Sequence, residues 1–264
     1  MRHALRMIHA LLVTFGLDVV KAFRAVRGLP YYIRNFFRLK TQEKHTANVF
    51  PFGTPYPCLD DRFSQAGEVA KHYFHQDLLV AQRIFQNNPV THVDVGSRID
   101  GFVSHVASFR TIEVLDIRPI PHVSSNIKFI QCDLMEPLEN TLLEYCDSVS
   151  CLHAMEHFGL GRYGDQVNYD GYLLGIENLD RMLKRGGKLY FSVPIGSQRI
   201  EFDAHRVFAL SYVLEIFHEA YRIDHFSFVD DQDNLHQDIN LTEKEIRNNC
   251  GCTFGCGIFE MTKY

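Results

Sequence analysis

Three short apolar runs in the middle of this chain each end on a carboxylate. Thr91-His92-Val93-Asp94-Val95 leads into Gly96 and Ser97, Ile112-Glu113-Val114-Leu115 into Asp116, and Ile127-Lys128-Phe129-Ile130-Gln131-Cys132 into Asp133. Short apolar runs rich in β-branched side chains and bounded by turn residues read as strands buried in a sheet. An open α/β sheet holds a nucleoside beyond the carboxyl ends of its strands, with a glycine at the first turn and acids at the strand tips. Asp116 follows Asp94 by 22 residues (116 − 94), close to the ~20-residue step expected for an acid that accepts from ribose hydroxyls.

The flanking regions alternate in the same way. Helical periodicity predicts a helix over 66–87, with Leu78, Leu79, Ala81, Ile84 and Phe85 on its buried face and Asn88-Pro89 at its end. Strands are expected at 92–95, 111–115, 127–131, 147–152 and 188–193. Helices are expected at 101–108 and 171–185, the second stopped by Lys184-Arg185-Gly186-Gly187. Such alternation builds a mainly parallel sheet with helices on both faces. Two late strands, 222–229 and 257–261, have no long helix between them and are expected as an antiparallel pair at the sheet edge.

Charge is unevenly placed along the 264 residues, whose formal net charge is −5. Residues 1–44 hold nine Lys/Arg against Asp18 and Glu43, a net of +7, which leaves −12 for the rest (−5 − 7). Ile8, Leu11, Leu12, Phe15 and Val19 recur at helical spacing, Gly28-Leu29-Pro30 is expected to break that helix, and 31–39 interleaves aromatics with Arg34 and Arg38. A basic amphipathic head on an acidic body reads in two ways. Either the helices of residues 1–40 lie on an anionic membrane surface, at its inner face, or they pack on the body as an appendage. The apolar stretch 7–20 is short of the ~20 residues a spanning helix needs and contains His9 and Asp18. A cytoplasmic protein without a nucleic-acid partner is expected. Pro51, Pro55 and Pro57 mark 45–65 as a linker, so the expected organisation is 1–44, 45–65 and 66–264.

Seven cysteines do not pair evenly, and Cys132, Cys146 and Cys151 lie in or beside apolar runs, as free thiols of a reducing compartment do. Cys250, Cys252 and Cys256 have no matching C-x-x-C pair and make a poor zinc set. His153, Glu156 and His157 spell H-x-x-E-H, the inverted zinc-peptidase pattern. That motif follows an apolar strand directly and runs into Gly159, Gly161 and Gly164, which would stop a helix early. A zinc metallopeptidase is thus an alternative on those three residues; the expectation is no resident metal.

From about residue 66 to the end, the chain resembles the class I S-adenosylmethionine-dependent methyltransferases. The resemblance rests on Val93-Asp94-Val95-Gly96, Asp116, Cys132-Asp133-Leu134, the strand end Cys151-Leu152-His153 and Leu183-Lys184-Arg185-Gly186-Gly187-Lys188-Leu189. Within that superfamily, 153–165 and Phe202-Asp203-Ala204-His205-Arg206 are similar to a methyltransferase-like branch of unknown function. The resemblance implies an α/β fold: a Rossmann-like, seven-stranded, mostly parallel sheet with an antiparallel edge hairpin, behind an N-terminal helical extension. It implies S-adenosyl-L-methionine as cofactor, held by Asp94, Gly96, Ser97, Asp116, Asp133 and Cys151, with Asp133 toward the adenine amino group. His153, Glu156 and His157 would then line the acceptor side, where His157 or Glu156 takes the proton of an attacking hydroxyl. Arg162, Tyr163, Asp165, His205 and Arg206 would meet a small-molecule or glycan-type acceptor. The plain alternative is a loop brace, Arg206–Asp165 or Arg162–Asp203. The superfamily's D-x-G-x-G-x-G loop reads here Asp94-Val95-Gly96-Ser97-Arg98-Ile99-Asp100-Gly101, with the first glycine in place and Arg98 able to pair with a carboxylate. The altered loop keeps a second reading open: a methyltransferase-fold protein that binds or scaffolds without catalysis.

Overall fold

A computed structural model describes residues 8–9, 11–43, 50, 52–63, 71–120 and 124–264. The chain divides into two compact units, Met1–Glu68 and Val69–Tyr264.

The main element of the first unit is α1, Val19–Glu43, a continuous helix of 25 residues. The expected break at Gly28-Leu29-Pro30 does not occur, and Pro30 lies inside the helix. An internal proline forfeits a backbone hydrogen bond; here packing from 52–63 supports the same stretch. Gly28 lies so close to that segment that a Cβ would come within 1.7 Å of the Leu59 carbonyl oxygen. Arg27 sits over the Phe63 ring at 4.7 Å, Arg62 over Tyr31 at 4.3 Å, and Phe36 meets Phe52 edge-on at 5.7 Å. The described part of the expected linker therefore packs along α1. Val19, Phe23, Val26, Ile33 and Phe37 remain exposed, and their spacing puts them on one stripe of the helix. Among the described residues, no helix is long and apolar enough to cross a membrane.

The described part of the second unit begins with α2, Lys71–Asn87; the expected start of this helix at 66 lies outside the described residues. Leu79, Ala81 and Ile84 are buried as expected, but Leu78 and Phe85 are 40% and 65% exposed. Phe85 packs edge-on against Phe109 at 5.3 Å. Gln76 and Asp77 are the buried residues one turn earlier, so the inward face carries polar groups that apolar periodicity did not register.

The sheet strands are β1 His92–Val95, β2 Ile112–Asp116, β3 Ile127–Gln131, β4 Cys146–Leu152 and β5 Leu183–Ile195. After the small hairpin of β6 Arg199–Glu201 and β7 His205–Val207 come β8 Tyr221–Val229, β9 Leu235–His236 and β10 Gly255–Lys263. Among the described residues the main sheet runs β3-β2-β1-β4-β5-β10-β8-β9. β1 through β5 are parallel, β10 is antiparallel to both β5 and β8, and the two-residue β9 closes a hairpin with β8 at the edge. The expected α/β fold is borne out, with the short β9 making the main sheet eight-stranded instead of seven-stranded.

Strand alternation sends successive side chains to opposite faces. Leu189 and Phe191 join one core with α4, Gly171–Met182, and α5, Leu210–Phe217. Tyr190 and Ile258 join the other, with Leu79, Ile84, Phe102 and Val106. Each large apolar side chain buried in these layers contributes about 1.5–3 kcal/mol.

Two boundaries differ from expectation. The helix expected over 171–185 stops at Met182, because Leu183 turns extended and pairs with Cys146. Lys184 through Gly187 then bulge before Lys188 resumes pairing with Ser148, helped by Gly186 at φ +73°. The helix expected over 101–108 is a π turn, Ile99–Val103, with Gly101 at φ −116° and ψ −116°, followed by the short α3, Ser104–Ala107.

Candidate functional site

A cavity of about 450 Å³ opens beyond the carboxyl ends of β1, β2 and β4. The strand order reverses between β1 and β4, which is where an open parallel sheet leaves a crevice for a ligand. The cavity size lies within the ~300–1,000 Å³ of small-molecule sites.

Gly96 shapes the first wall. Its φ is +74°, and a Cβ there would stand 2.8 Å from the Ala154 Cβ. The turn after β1 therefore needs glycine for conformation and for the close passage of the loop after β4. Asp94 holds this turn from behind. It is fully buried, does not line the cavity, and accepts from Ser97 N (3.1 Å), Ser97 Oγ (2.8 Å) and Ser150 Oγ (2.5 Å). Burial outweighs these bonds and pushes the Asp94 carboxyl up to about 7. Arg98, whose side chain is 72% exposed, is paired bidentately with Asp100 at 3.0 and 2.7 Å.

Asp116 reaches the cavity at the tip of β2. Both its oxygens are taken by Arg118, through Nε at 3.0 Å and Nη2 at 2.7 Å, with the Arg118 amide adding a bond of 2.8 Å. The guanidinium also lies 4.5 Å over the Tyr163 ring. Asp133 lines the cavity and accepts from the Met135 amide at 2.9 Å, bracing its own turn. Cys151 does not line it: its side chain is fully buried in the core under β4, and burial holds its thiol well above the usual range.

On the opposite side, His153 and His157 line the cavity and Glu156 lies behind them, 1% exposed. His153 has φ +50° and precedes a 3₁₀ turn, Met155–His157, so the two histidines do not share the face of one α-helix. Glu156 Oε1 sits 2.8 Å from His153 Nδ1 and 3.8 Å from His157 Nε2. Burial alone would raise the Glu156 carboxyl, but His153, with His157 behind it, outweighs burial and holds it below the usual range. His157 Nδ1 lies 2.7 Å from the Ala204 carbonyl. A carbonyl can only accept, so Nδ1 carries the proton and the neutral ring keeps its lone pair on Nε2. Burial lowers the pKa of His157. This arrangement offers a proton acceptor; the zinc-peptidase geometry, two histidines one helical turn apart with a free glutamate, is not formed.

The loop residues divide. Tyr163 and Asp165 line the cavity, but Asp165 is spent on its own loop, accepting from the amides of Gly159, Gly161 and Tyr163 at 2.8–3.1 Å. Arg162 donates to the Ala204 carbonyl at 3.0 Å. Arg206, only 6% exposed, donates to the carbonyls of Phe158 (2.6 Å) and Tyr169 (2.8 Å) and lies over Tyr172. His205 pairs with Glu201 at 3.3 Å. Arg162 and Arg206 both donate to backbone carbonyls, and the expected braces Arg206–Asp165 and Arg162–Asp203 are not formed. Sequence reasoning missed Tyr73, Gln76 and Asp77, which α2 presents to the cavity. Their i, i+3, i+4 spacing is a helical face, and a polar triplet aligned with Ile84 was the available signal. Asp77 is buried, which raises its carboxyl. In all, Asp77, Asp100, Asp116, Asp133 and Asp165 face the cavity against Arg98 and Arg118, a lining with excess negative charge.

A family profile described as "Caenorhabditis protein of unknown function, DUF268" matches residues 123–253. No curated protein matches the chain. Among solved structures, the [4+2]-cyclase SpnF is similar with a TM-score of 0.51 and 14% identity, over 72% of this chain and 80% of that one. The Burkholderia thailandensis 1,6-didemethyltoxoflavin-N1-methyltransferase, with its substrate and S-adenosylhomocysteine bound, has a TM-score of 0.49 and 10% identity, over 71% and 78%. The N-methyltransferase NodS from Bradyrhizobium japonicum WM9, in complex with S-adenosylhomocysteine, has a TM-score of 0.47 and 14% identity, over 72% and 87%. At these identities the likeness is one of fold, and the expected α/β fold with a mostly parallel sheet is the fold found.

Proposed function

We propose that the second unit binds S-adenosylmethionine in the cavity beyond β1, β2 and β4 and transfers its methyl group to a small polar or glycan-type acceptor. The observation that carries this reading is the Gly96 turn: positive φ, no room for a Cβ, and a carboxylate-tipped β2 beside it, opening on a cavity at the switch point of the sheet. The excess of carboxylates suits a cationic ligand. Gly96 and Ser97 would approach the cofactor through backbone, Asp116 would accept from ribose hydroxyls, and Asp133 would face the base. Bound there, the cofactor supplies a methyl group on a positively charged sulfur. The chain's own task is then alignment of donor and acceptor, which can itself remove a large share of a barrier. His157, which lines the cavity and keeps a lone pair on Nε2, would take the proton of a hydroxyl acceptor.

Isothermal titration with S-adenosylhomocysteine tests the binding step. Saturable binding that weakens in Asp116→Ala supports the reading; its absence in folded protein favours a scaffold. Transfer of labelled methyl to panels of small hydroxyl, amine and sugar acceptors then tests the acceptor class.

A second reading concerns the first unit. α1 exposes Phe23, Val26, Ile33 and Phe37 beside Arg24 and Arg38, which are also exposed. An apolar stripe flanked by basic residues suits an anionic membrane surface, and supports a peripheral position at the inner face of a membrane.

A further inference from the structure

His72, His153 and Cys256 come from three distant parts of the second unit: the first turn of α2, the loop after β4 and the start of β10. Among the described residues, their donor atoms all lie within 4.8 Å of one another. The His72 and His153 rings stack at 5.2 Å. Cys256 is fully buried, and the His153 side chain is 4% exposed. His153 Nδ1 is engaged by Glu156 Oε1 at 2.8 Å, while its Nε2 is buried and has only the His72 and Cys256 donor atoms of the cluster near it. A carboxylate on one ring nitrogen orients the imidazole so that the other nitrogen can bind a metal once any proton on it is displaced, as in carboxylate–histidine–metal triads. The remaining contacts of the Cys256 sulfur are long, 3.7 Å to Gln76 Oε1 and 3.9 Å to the Gly257 carbonyl.

We propose that His72, His153 and Cys256 form a site for a zinc-class divalent cation, with Glu156 orienting His153 from behind. Two imidazoles and a thiolate are a donor set for a borderline-soft ion, and small movements of three side chains bring them to the ~2.0–2.3 Å bond lengths such an ion takes. The Cys256 thiol loses its proton to solvent on binding; the thiolate and the Glu156 carboxylate together balance the two positive charges. Three protein ligands leave a fourth position for water or an acceptor oxygen. Because His153 is also a cavity wall, the ion stands beside the acceptor side of the pocket. This trio shares only His153 with the H-x-x-E-H pattern: His157 is committed to the Ala204 carbonyl, and no peptidase chemistry is implied. The site does not depend on the methyl-transfer reading.

The test uses full-length protein purified without a metal-binding tag. Elemental mass spectrometry should find about one zinc per chain. Cobalt(II) titration should give a thiolate charge-transfer band in the near ultraviolet together with visible d–d bands. His72→Ala and Cys256→Ser should each weaken metal binding more than tenfold and, for Cys256→Ser, abolish the charge-transfer band. Cys58→Ser, on the exposed cysteine of the first unit, should change nothing. Folded protein, judged by circular dichroism, that holds no zinc and gives no cobalt spectrum would overturn the site, as would an undiminished spectrum in both variants. S-adenosylhomocysteine titration of the same samples separates the two ideas, since neither His72 nor Cys256 lines the cavity. Metal binding without nucleoside binding sinks the methyl-transfer reading alone, and nucleoside binding without metal sinks the metal site alone.

Discussion

Asp94 and Asp116 stand at the tips of neighbouring strands and face opposite demands. Asp94 is sealed beneath the first turn, and burial lifts its pKa from 3.8 to about 7. The folded state therefore holds more protons than the unfolded state between about pH 4 and 7, and stability from this group is present at low pH and lost as pH rises through 7. A tenfold change in proton affinity between the two states corresponds to about 1.4 kcal/mol. Asp94→Asn should thus gain on the wild type by on the order of 1–4 kcal/mol between pH 4.5 and 8, read from urea denaturation at the two values. A difference that does not change with pH would mean that Asp94 is ionised throughout. Asp116 is a cavity residue whose two oxygens Arg118 already occupies. Asp116→Ala should weaken S-adenosylhomocysteine binding by about 1–3 kcal/mol through lost charge-assisted hydrogen bonds. Arg118→Ala should strengthen it up to about fivefold, because a partly exposed ion pair worth ~1 kcal/mol or less no longer competes. Calorimetry on both variants checks this; equal losses in the two would make Arg118 a ligand contact in its own right. The acid at the strand tip was legible from spacing. The arginine two residues on was not, because its partner depends on how the chain turns after β2.

The elements most sensitive to single changes are the turn after β1 and the contact of α1 with 52–63. Gly96→Ala meets both an unfavourable positive φ and the Ala154 Cβ at 2.8 Å, and should cost about 1–3 kcal/mol. Adding Ala154→Gly removes the collision and leaves the backbone penalty, so chemical denaturation of the double variant should recover part of the loss. Full additivity of the two substitutions would show that the loops do not meet there. In the first unit, a Cβ on Gly28 would strike the Leu59 backbone. Gly28→Ala should therefore lift 52–63 from α1 and speed limited proteolysis within 52–63, while the helical signal is kept or raised, since alanine favours helix by about 1 kcal/mol over glycine. The sequence signal at Gly28-Leu29-Pro30 was a break. The contact that supports a continuous helix comes from Leu59 and Phe63, some thirty residues on, and local punctuation carries no trace of it.

At the scale of the whole molecule, a basic first unit is joined to an acidic second unit. Full-length protein is expected to sediment with anionic liposomes at low salt and to lose that association as salt rises, since the Debye length falls from ~10 Å at 0.1 M to ~3 Å at 1 M. Replacing Arg24 and Arg38 with Glu should abolish it without changing the melting temperature. Indifference of the wild type to liposomes would leave the exposed stripe of α1 without a membrane role. What sequence alone determined is the sheet and the end at which its cavity opens: short buried strands, a glycine at the first turn and acids at three tips are all local patterns. Tertiary structure decided the remainder. It put Cys151 into the core and away from the cavity, turned Arg162 and Arg206 to backbone carbonyls, and brought Asp77 to the cavity from α2. It also gathered His72, His153 and Cys256 within one small cluster, although they are separated by 81 (153 − 72) and 103 (256 − 153) positions. Each of these outcomes depends on which segments the sheet order brings side by side. A one-dimensional pattern reports the face a residue occupies but not the partner across the gap.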